Sequence, residues 1–456
     1  MSLEKPINPN YCATVVKIEK LVELENCDNV VAAIIFGNSV IVGKDTKIGD
    51  HGLFFPAETQ LSHEFISENN LYRKAELNKD VTKKGYFEEN RRIKIAKFRG
   101  HKSEGLFMPI SCLEYTLPNE ATFNWAKLME EGQDFDKIDG KEICRKYVIQ
   151  VKNSGTQKQK DKKKVNKFDR LVENQFRLHI DTENLRRNAH KLNPEDIISI
   201  TNKIHGTSWV VGKVLTKEPL PWWKSIFNKF VPTAFNNTKY DVIYSSRTVV
   251  KNKYINTTVN SGFYNFDLWG VIADNLKDCL QDGITLYGEA VGQLPTGAWI
   301  QKGYHYGTRP NQHEIYVYRI TSTNAEGKVI EFSWPQIKEY CNHYGLKHVT
   351  EFYYGKAKDY CPAIPLEQHW NQNFLAKLEA DFMLDRKCPL NSGDVWEEGI
   401  VVRVDGLFEC PAYKLKNFAF LDKETKDLDK GLVDLESEQS LANEEEEEVD
   451  TDDEVV

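Results

Sequence analysis

Residues 198–208 read ISITNKIHGTS, an apolar alternation that ends on a lysine, a histidine and a glycine. The alternation marks a half-buried β-strand, because successive strand side chains point to opposite faces. A lysine amine is a poor nucleophile while protonated, and its unperturbed pKa is about 10.4. Placing Lys203 at a strand end, partly desolvated and near other cations, favours the neutral amine that attacks an electrophile. Gly206 is expected to let the backbone turn closely beneath a bound ligand.

Lys-x-His-Gly alone is weak evidence, and four further segments give it weight: VIYSSRTV (242–249), ITLYGEAVG (284–292), EEGIVVRV (397–404) and AYKLKN (412–417). Each puts charged or hydroxyl side chains within or at the end of an apolar strand. Lys414 and Lys416 share one strand face and repel each other unless an anion lies between them. Glu289 and Glu398, each next to a glycine, add two carboxylates to the same cleft if these strands are neighbours. Lysines and carboxylates together are the parts that hold a triphosphate and a divalent ion, since Mg²⁺ prefers oxygen ligands and keeps several waters.

The ordered set resembles the covalent nucleotidyltransferase superfamily in its RNA-ligase branch. Lys203-Ile204-His205-Gly206-Thr207 is similar to motif I, where DNA ligases and capping enzymes usually carry Asp at the position of His205. Ser246-Arg247 resembles motif Ia, Tyr287-Gly288-Glu289 motif III, Tyr316-Val317-Tyr318 motif IIIa, Glu398 to Val402 motif IV, and Lys414-Leu415-Lys416 motif V. Ile300-Gln301-Lys302-Gly303 is similar to phage nick-sealing and trypanosome RNA-editing ligases. The match spans about residues 176–420.

The resemblance implies an ATP-dependent RNA ligase in which Lys203 takes AMP from ATP, passes it to an RNA 5′-phosphate, and a 3′-hydroxyl then displaces it. It implies nucleotide contacts from Thr201, Asn202, Ile204, Arg247 and Tyr318, with Tyr318 stacking on adenine and Tyr316 in reserve. It also gives Glu289 a share in holding the ribose. Glu289 and Glu398 would position Mg²⁺, for which Mn²⁺ can substitute, and Lys414 and Lys416 would neutralise the α-phosphate. Ser208 stands where many DNA ligases have arginine, and Arg319 where an aspartate commonly follows the stacking aromatic. The implied partner is RNA with 3′-hydroxyl and 5′-phosphate ends in a nicked duplex, bound by a monomer with a role in RNA repair. A GTP-using capping-type nucleotidyltransferase and an inactive RNA-binding scaffold remain as alternatives.

Outward from these motifs, the fold class expected is α+β. Residues 1–150 read as short antiparallel strands, with a two-residue hairpin signal at Gly37-Asn38, and suggest a small barrel of the oligonucleotide-binding kind. A barrel placed first resembles the Deinococcus and Naegleria type of RNA ligase. Residues 151–167 carry seven lysines against one aspartate and read as a linker along which a phosphate backbone could lie. Residues 168–421 form the nucleotidyltransferase domain, with helices expected after Asp181 and at about 267–281, 334–345 and 367–384. The nucleotide pocket is expected to lie wholly after the linker. The aromatic stretch 219–232 reads as a surface insertion. Residues 422–456 read as an acidic disordered tail, which from Asp434 onward holds twelve acidic residues and no basic one, leaving the other 433 residues at +4 instead of −8. Nine scattered cysteines without paired spacing point to reduced thiols, and no apolar run of roughly 18 residues appears, so a cytoplasmic protein without a membrane partner is expected.

Overall fold

The computed structural model describes residues 2–430 except 117–128, 149–169, 180, 219–222, 224–236, 248, 252–265, 367–368, 384–385, 392 and 407. The lysine-rich linker, nearly all of the aromatic stretch 219–232 and the acidic segment after 430 lie outside the described residues.

Two antiparallel-rich sheets build the larger part of the chain. The first runs Glu183–Asn184, Ala412–Lys416, Gly399–Val404, Ile197–Lys203, Glu351–Lys356, and only its first pairing is parallel. Ile198, Ile200, Ile400, Val402, Tyr413 and Leu415 pack into one core with the helix Trp370–Phe382. Strand alternation therefore sends Ser199, Thr201, Lys203, Val401, Arg403, Lys414 and Lys416 to the other face. The second sheet has six strands: Val250–Lys251, Thr238–Ser245, Thr207–Lys217, Ile284–Gly292, His313–Thr323 and Val329–Glu331. Trp209, Val211, Leu286 and Ile320 join the helices Leu268–Leu276 and Trp334–Tyr344 in a second core.

These helices begin and end for local reasons. The Asp267 side chain accepts from the Gly270 N–H to start the first, which gives way to a 3₁₀ turn at Lys277–Cys279. Ser333 and Gln336 form a reciprocal capping box for the second, and Gly345 ends it at φ 65°. The helix expected after Asp181 is an α-helical turn, Leu185–Asn188, that continues as the 3₁₀ turn Ala189–Lys191, and its cap is Asn184, accepting from Arg186 N–H, not Asp181. Asp181 is engaged by Arg247 and is not free to cap.

Among the described residues the N-terminal strands form five separate sheets of two to four strands, none of which closes on itself, so the expected closed barrel is not seen there. Strands such as Asp134–Phe135, Lys137–Ile138 and Lys141–Glu142 are too short to carry a continuous staggered ladder around a ring. The hairpin signal was one residue out of place. Phe36 and Gly37 form the two-residue turn at φ 51° and 78°, while Asn38 pairs with Ile35 as the first strand residue.

A helix at Phe418–Asp429 crosses position 422, where the acidic tail was expected to begin. Asn417 caps it by accepting from Ala419 N–H, and Phe418, Ala419, Phe420 and Thr425 are buried. Four buried side chains in three turns anchor a helix that its six charged neighbours, Asp422, Lys423, Glu424, Lys426, Asp427 and Asp429, hide from a composition reading.

Candidate active site

The antiparallel register aligns Lys203 with Gly399 and Gly399 with Lys416, and one step along aligns Thr201 with Val401 and Lys414. The strand Gly399–Val404 thus lies between two strands that present Lys203, Lys414 and Lys416 on one wall. Glu398 enters this row at the strand start because Gly399 adopts φ 151° and packs where a Cβ would lie 2.0 Å from the Leu415 carbonyl oxygen. The Glu398 carboxylate is 3% exposed; Oε1 accepts from Lys203 Nζ at 2.7 Å and Lys416 Nζ at 3.2 Å. His205 Nδ1 lies 3.8 Å from Oε2. Burial pushes this carboxyl up, but Lys203, Lys416 and His205 outweigh it and hold it at about 2.

Lys414 and Lys416 meet opposite environments. Burial pushes Lys414 down to about 7, with Lys416, Lys203 and Arg247 adding repulsion and Asp181 opposing them. Burial also disfavours the Lys416 ammonium, yet Glu424 and Glu398 raise it well above the usual lysine range. Lys416 lies 3.6 Å from Glu424 Oε2, whereas the nearest carboxylate to act on Lys414, that of Asp181, is also paired with Arg247. Burial raises Asp181, but Arg247, Lys414 and His179 overcome it and depress the group.

The facing wall positions rather than charges. Glu289 Oε1 accepts from Gly206 N–H at 3.1 Å, and Oε2 from Ser208 Oγ at 3.2 Å, so this carboxylate fixes the loop that follows Lys203. Gln301 Nε2 donates to the Gly206 carbonyl at 3.1 Å. Gly206 is required by close packing, since a Cβ there would lie 2.2 Å from the Ala290 carbonyl oxygen. The His205 ring meets the edges of Tyr304 and Phe420 at centroid distances of 4.8 and 5.0 Å.

On the strand His313–Thr323, register shifts between Tyr287 and Gly288, which pair with Arg319 and Val317 and leave Tyr318 as the bulged residue. A bulge re-aims a side chain. Tyr318 lines the cleft with its hydroxyl 2.8 Å from His179 Nδ1, while Tyr316 instead lies beneath Lys347 Nζ at 6.0 Å and does not line it. Arg319, standing where an aspartate was expected, pairs with Glu331 and stacks 4.7 Å over the Tyr287 ring.

All ten candidate residues, Lys203, Glu289, Glu398, Lys414, Lys416, Thr201, Asn202, Ile204, Arg247 and Tyr318, line one cavity of about 740 Å³. Ile204 belongs to the apolar core, so its contribution to the wall is chiefly backbone. The cavity is not confined to the part after the linker. Tyr11 and Lys146 of the N-terminal region line it too, with Lys146 Nζ 5.7 Å over the Tyr11 ring. Tyr11, His179, Asp181 and Glu424 escaped sequence reading because none sits in a patterned strand; Gln301 did carry a signal, in the segment 300–303. Among the described residues no group of three or more His, Cys, Asp or Glu side chains is arranged to hold a metal. No described helix is long and apolar enough to cross a membrane, and the nine cysteines are unpaired.

A cationic, carboxylate-centred wall thus faces a positioning wall across one cavity. Residues 196–416 match the family model described as RNA ligase, the segment in which the motif resemblance lies. Comparison with proteins of curated function gives no match. Among solved structures, the chain is similar to a Naegleria gruberi RNA ligase mutant with AMP and Mn, at 15% identity and TM-score 0.54, covering 90% of this chain and 98% of that one. A second Naegleria gruberi RNA ligase mutant, with ATP and Mn, gives 14% identity and TM-score 0.53 over 92% and 100%. The Naegleria gruberi RNA ligase with PPi gives 14% identity and TM-score 0.52 over the same shares. The likeness of fold thus extends well beyond the segment that carries the motifs.

Proposed function

We propose that this chain is an ATP-dependent RNA ligase that seals 3′-hydroxyl and 5′-phosphate RNA ends through a lysyl-AMP on Lys203. The observation that carries the reading is the row Lys203, Glu398, Lys416, in which one buried carboxylate oxygen holds both ammonium groups. A nucleophile must be held yet releasable, and an incoming α-phosphate competes with Glu398 for the same cations. Lys203 Nζ then bonds to the α-phosphorus as the bond to the β-phosphate oxygen breaks; Nζ loses its proton and pyrophosphate leaves. Lys414 and Lys416 neutralise the charge gathering on the phosphorus oxygens, the interaction that weighs most in phosphoryl transfer.

AMP next passes to the oxygen of an RNA 5′-phosphate, freeing the lysine, and the 3′-hydroxyl displaces AMP to form the new diester. The solved relatives hold ATP, AMP or PPi, the substrate and products of such a sequence. Arg247 and Glu289 serve the ribose and Tyr318 the adenine face. Among the described residues Glu398 Oε2 is buried without a hydrogen-bond partner, and Glu289 lines the same cavity from the other wall. Two carboxylates with no third ligand fit Mg²⁺ or Mn²⁺ carried mainly by phosphate oxygens and water. Such an ion supplies charge neutralisation at the triphosphate.

Incubation with α-labelled ATP and Mg²⁺, followed by denaturing electrophoresis and peptide mass spectrometry, tests the reading. AMP on Lys203 is expected; AMP on another lysine, or an adduct formed from GTP in preference, overturns it. RNA rather than DNA ends are the expected substrate, since the 2′-hydroxyl is what a site reads to separate them. Equal sealing of all-RNA and all-DNA nicks would contradict that part.

A further inference from the structure

The helix Phe418–Asp429 follows motif V directly and touches both the cavity and the N-terminal region. Its residues 418, 422, 425 and 429 recur at helical spacing and form one stripe. Every one of them meets the N-terminal region. Lys102 and Lys97 lie 4.5 and 5.4 Å over the Phe418 ring, and Lys97 is 3.8 Å from Asp422. Thr425 Oγ1 donates to Glu58 Oε1 at 3.1 Å, and Asp429 Oδ1 accepts from Lys94 at 2.9 Å and Arg92 at 3.2 Å. Arg92 is the anchor: its side chain is 1% exposed, it donates twice to Glu58 at 2.7 Å, and it stacks 5.2 Å over Tyr147.

A second stripe, 420, 424 and 428, lies about 120° round the helix. This one faces the chemistry. Phe420 packs on His205, Glu424 Oε2 lies 3.6 Å from Lys416 Nζ, and Leu428 lines the cavity. Glu398 already divides one oxygen between Lys203 and Lys416, so when nucleotide draws Lys203 away or Glu398 turns to the metal, Glu424 is the carboxylate left to hold Lys416 on its own side.

We propose that Glu424 is a positioning residue for Lys416, and that Arg92 and Glu58, through Asp429 and Thr425, set the helix that carries it. The inference rests on the ligase reading above. Glu424 acts through Lys416 and touches no reacting atom.

The test uses the full chain. Single-turnover adduct formation from ATP and Mg²⁺ is followed in Glu424→Gln, Asp429→Asn, the double variant and Asp429→Glu, with ATP affinity measured separately. Glu424→Gln and Asp429→Asn each slow the adduct by about tenfold or more, as small misplacements of a catalytic cation do, while ATP affinity holds. The double variant is no slower than Glu424→Gln alone, because both changes act on one path. Asp429→Glu restores the rate. A wild-type rate in Asp429→Asn overturns the coupling, and a wild-type rate in Glu424→Gln overturns the positioning. Amide exchange of residues 412–424 reads the same coupling without chemistry: Asp429→Asn raises it, and unchanged exchange overturns the proposal. An absent adduct in the wild type, with exchange still raised in Asp429→Asn, sinks the ligase reading and leaves the mechanical coupling standing.

Discussion

The two walls of the cleft differ in what their charged groups do. On the five-stranded sheet Lys203, Lys416 and Glu398 hold one another, with Lys414 beside them and no carboxylate of its own. Across the cleft Glu289 spends both oxygens on the backbone N–H of Gly206 and the hydroxyl of Ser208, and Tyr318 is aimed by a bulge. One wall stores charge that a phosphate can reorganise; the other fixes the geometry in which that happens. Substitutions on the first wall should therefore damage chemistry, and those on the second should damage alignment and binding.

The largest effect is expected from Lys203→Ala, which leaves no nucleophile and so no AMP adduct. Sealing of a nick that already carries a 5′-adenylate should survive in part, because there the attacking group is the RNA hydroxyl. Comparing the two substrates with one protein preparation checks both halves, and an adduct in the alanine variant would break the scheme.

Glu398→Gln comes next, since it strips the shared, buried carboxylate from two partly buried ammonium groups. Both the adduct and the sealing of preformed adenylate should fall by about 10²- to 10³-fold, the scale for losing one preorganised electrostatic partner. Rapid-quench measurement of each step separates this from Lys203→Ala, which spares the second.

The contrast between Lys414 and Lys416 gives a pH prediction. With a folded value of about 7, below the roughly 10.4 of a free lysine, Lys414 binds fewer protons folded than unfolded between those limits. Its burial therefore costs most below pH 7, and that cost is relieved as pH rises toward 10.4. Lys414→Met should flatten the gain in stability between pH 7 and 9.5 seen by urea unfolding. At pH 8 nucleotide phosphate should draw a proton onto Lys414, so calorimetry in buffers of different ionisation enthalpy should show proton uptake that Lys414→Met loses.

The smallest effect belongs to the positioning wall. Tyr318→Leu keeps the apolar bulk but loses the ring, and should raise KM for ATP roughly three- to tenfold at near-constant kcat, in keeping with an aromatic stacking contribution of about 0.5–1.5 kcal/mol. Tyr316→Leu should leave KM unchanged. If the two exchange their effects, the bulge assignment is wrong.

Much of this was legible in the strands. Period-2 alternation makes residues 199, 201 and 203 share a face, and the same rule pairs 414 with 416; hydrophobic neighbours at the intervening positions, Ile198 and Ile200 on one strand and Tyr413 and Leu415 on the other, then leave the charged ones pointing one way. The helices expected at about 267–281 and 334–345 lie at Leu268–Leu276 and Trp334–Tyr344, each started by a local cap at Asp267 or Ser333. Asp181 failed as a cap because a distant arginine claimed it, which no local pattern can show.

Sequence by itself determined which side chains face together and what chemistry that set can perform, since spacing along a strand dictates direction. Only the tertiary structure decided their charges and their neighbours. Glu398 is held near 2 and Lys414 near 7 by groups up to more than two hundred residues away in the chain. The helix after motif V is amphipathic toward two partners at once, so its composition resembles a solvated tail until the N-terminal region and the cleft are both in place. Coulomb interaction and desolvation depend on distance in space, and the register between Lys203, Gly399 and Lys416 is what brings that distance down.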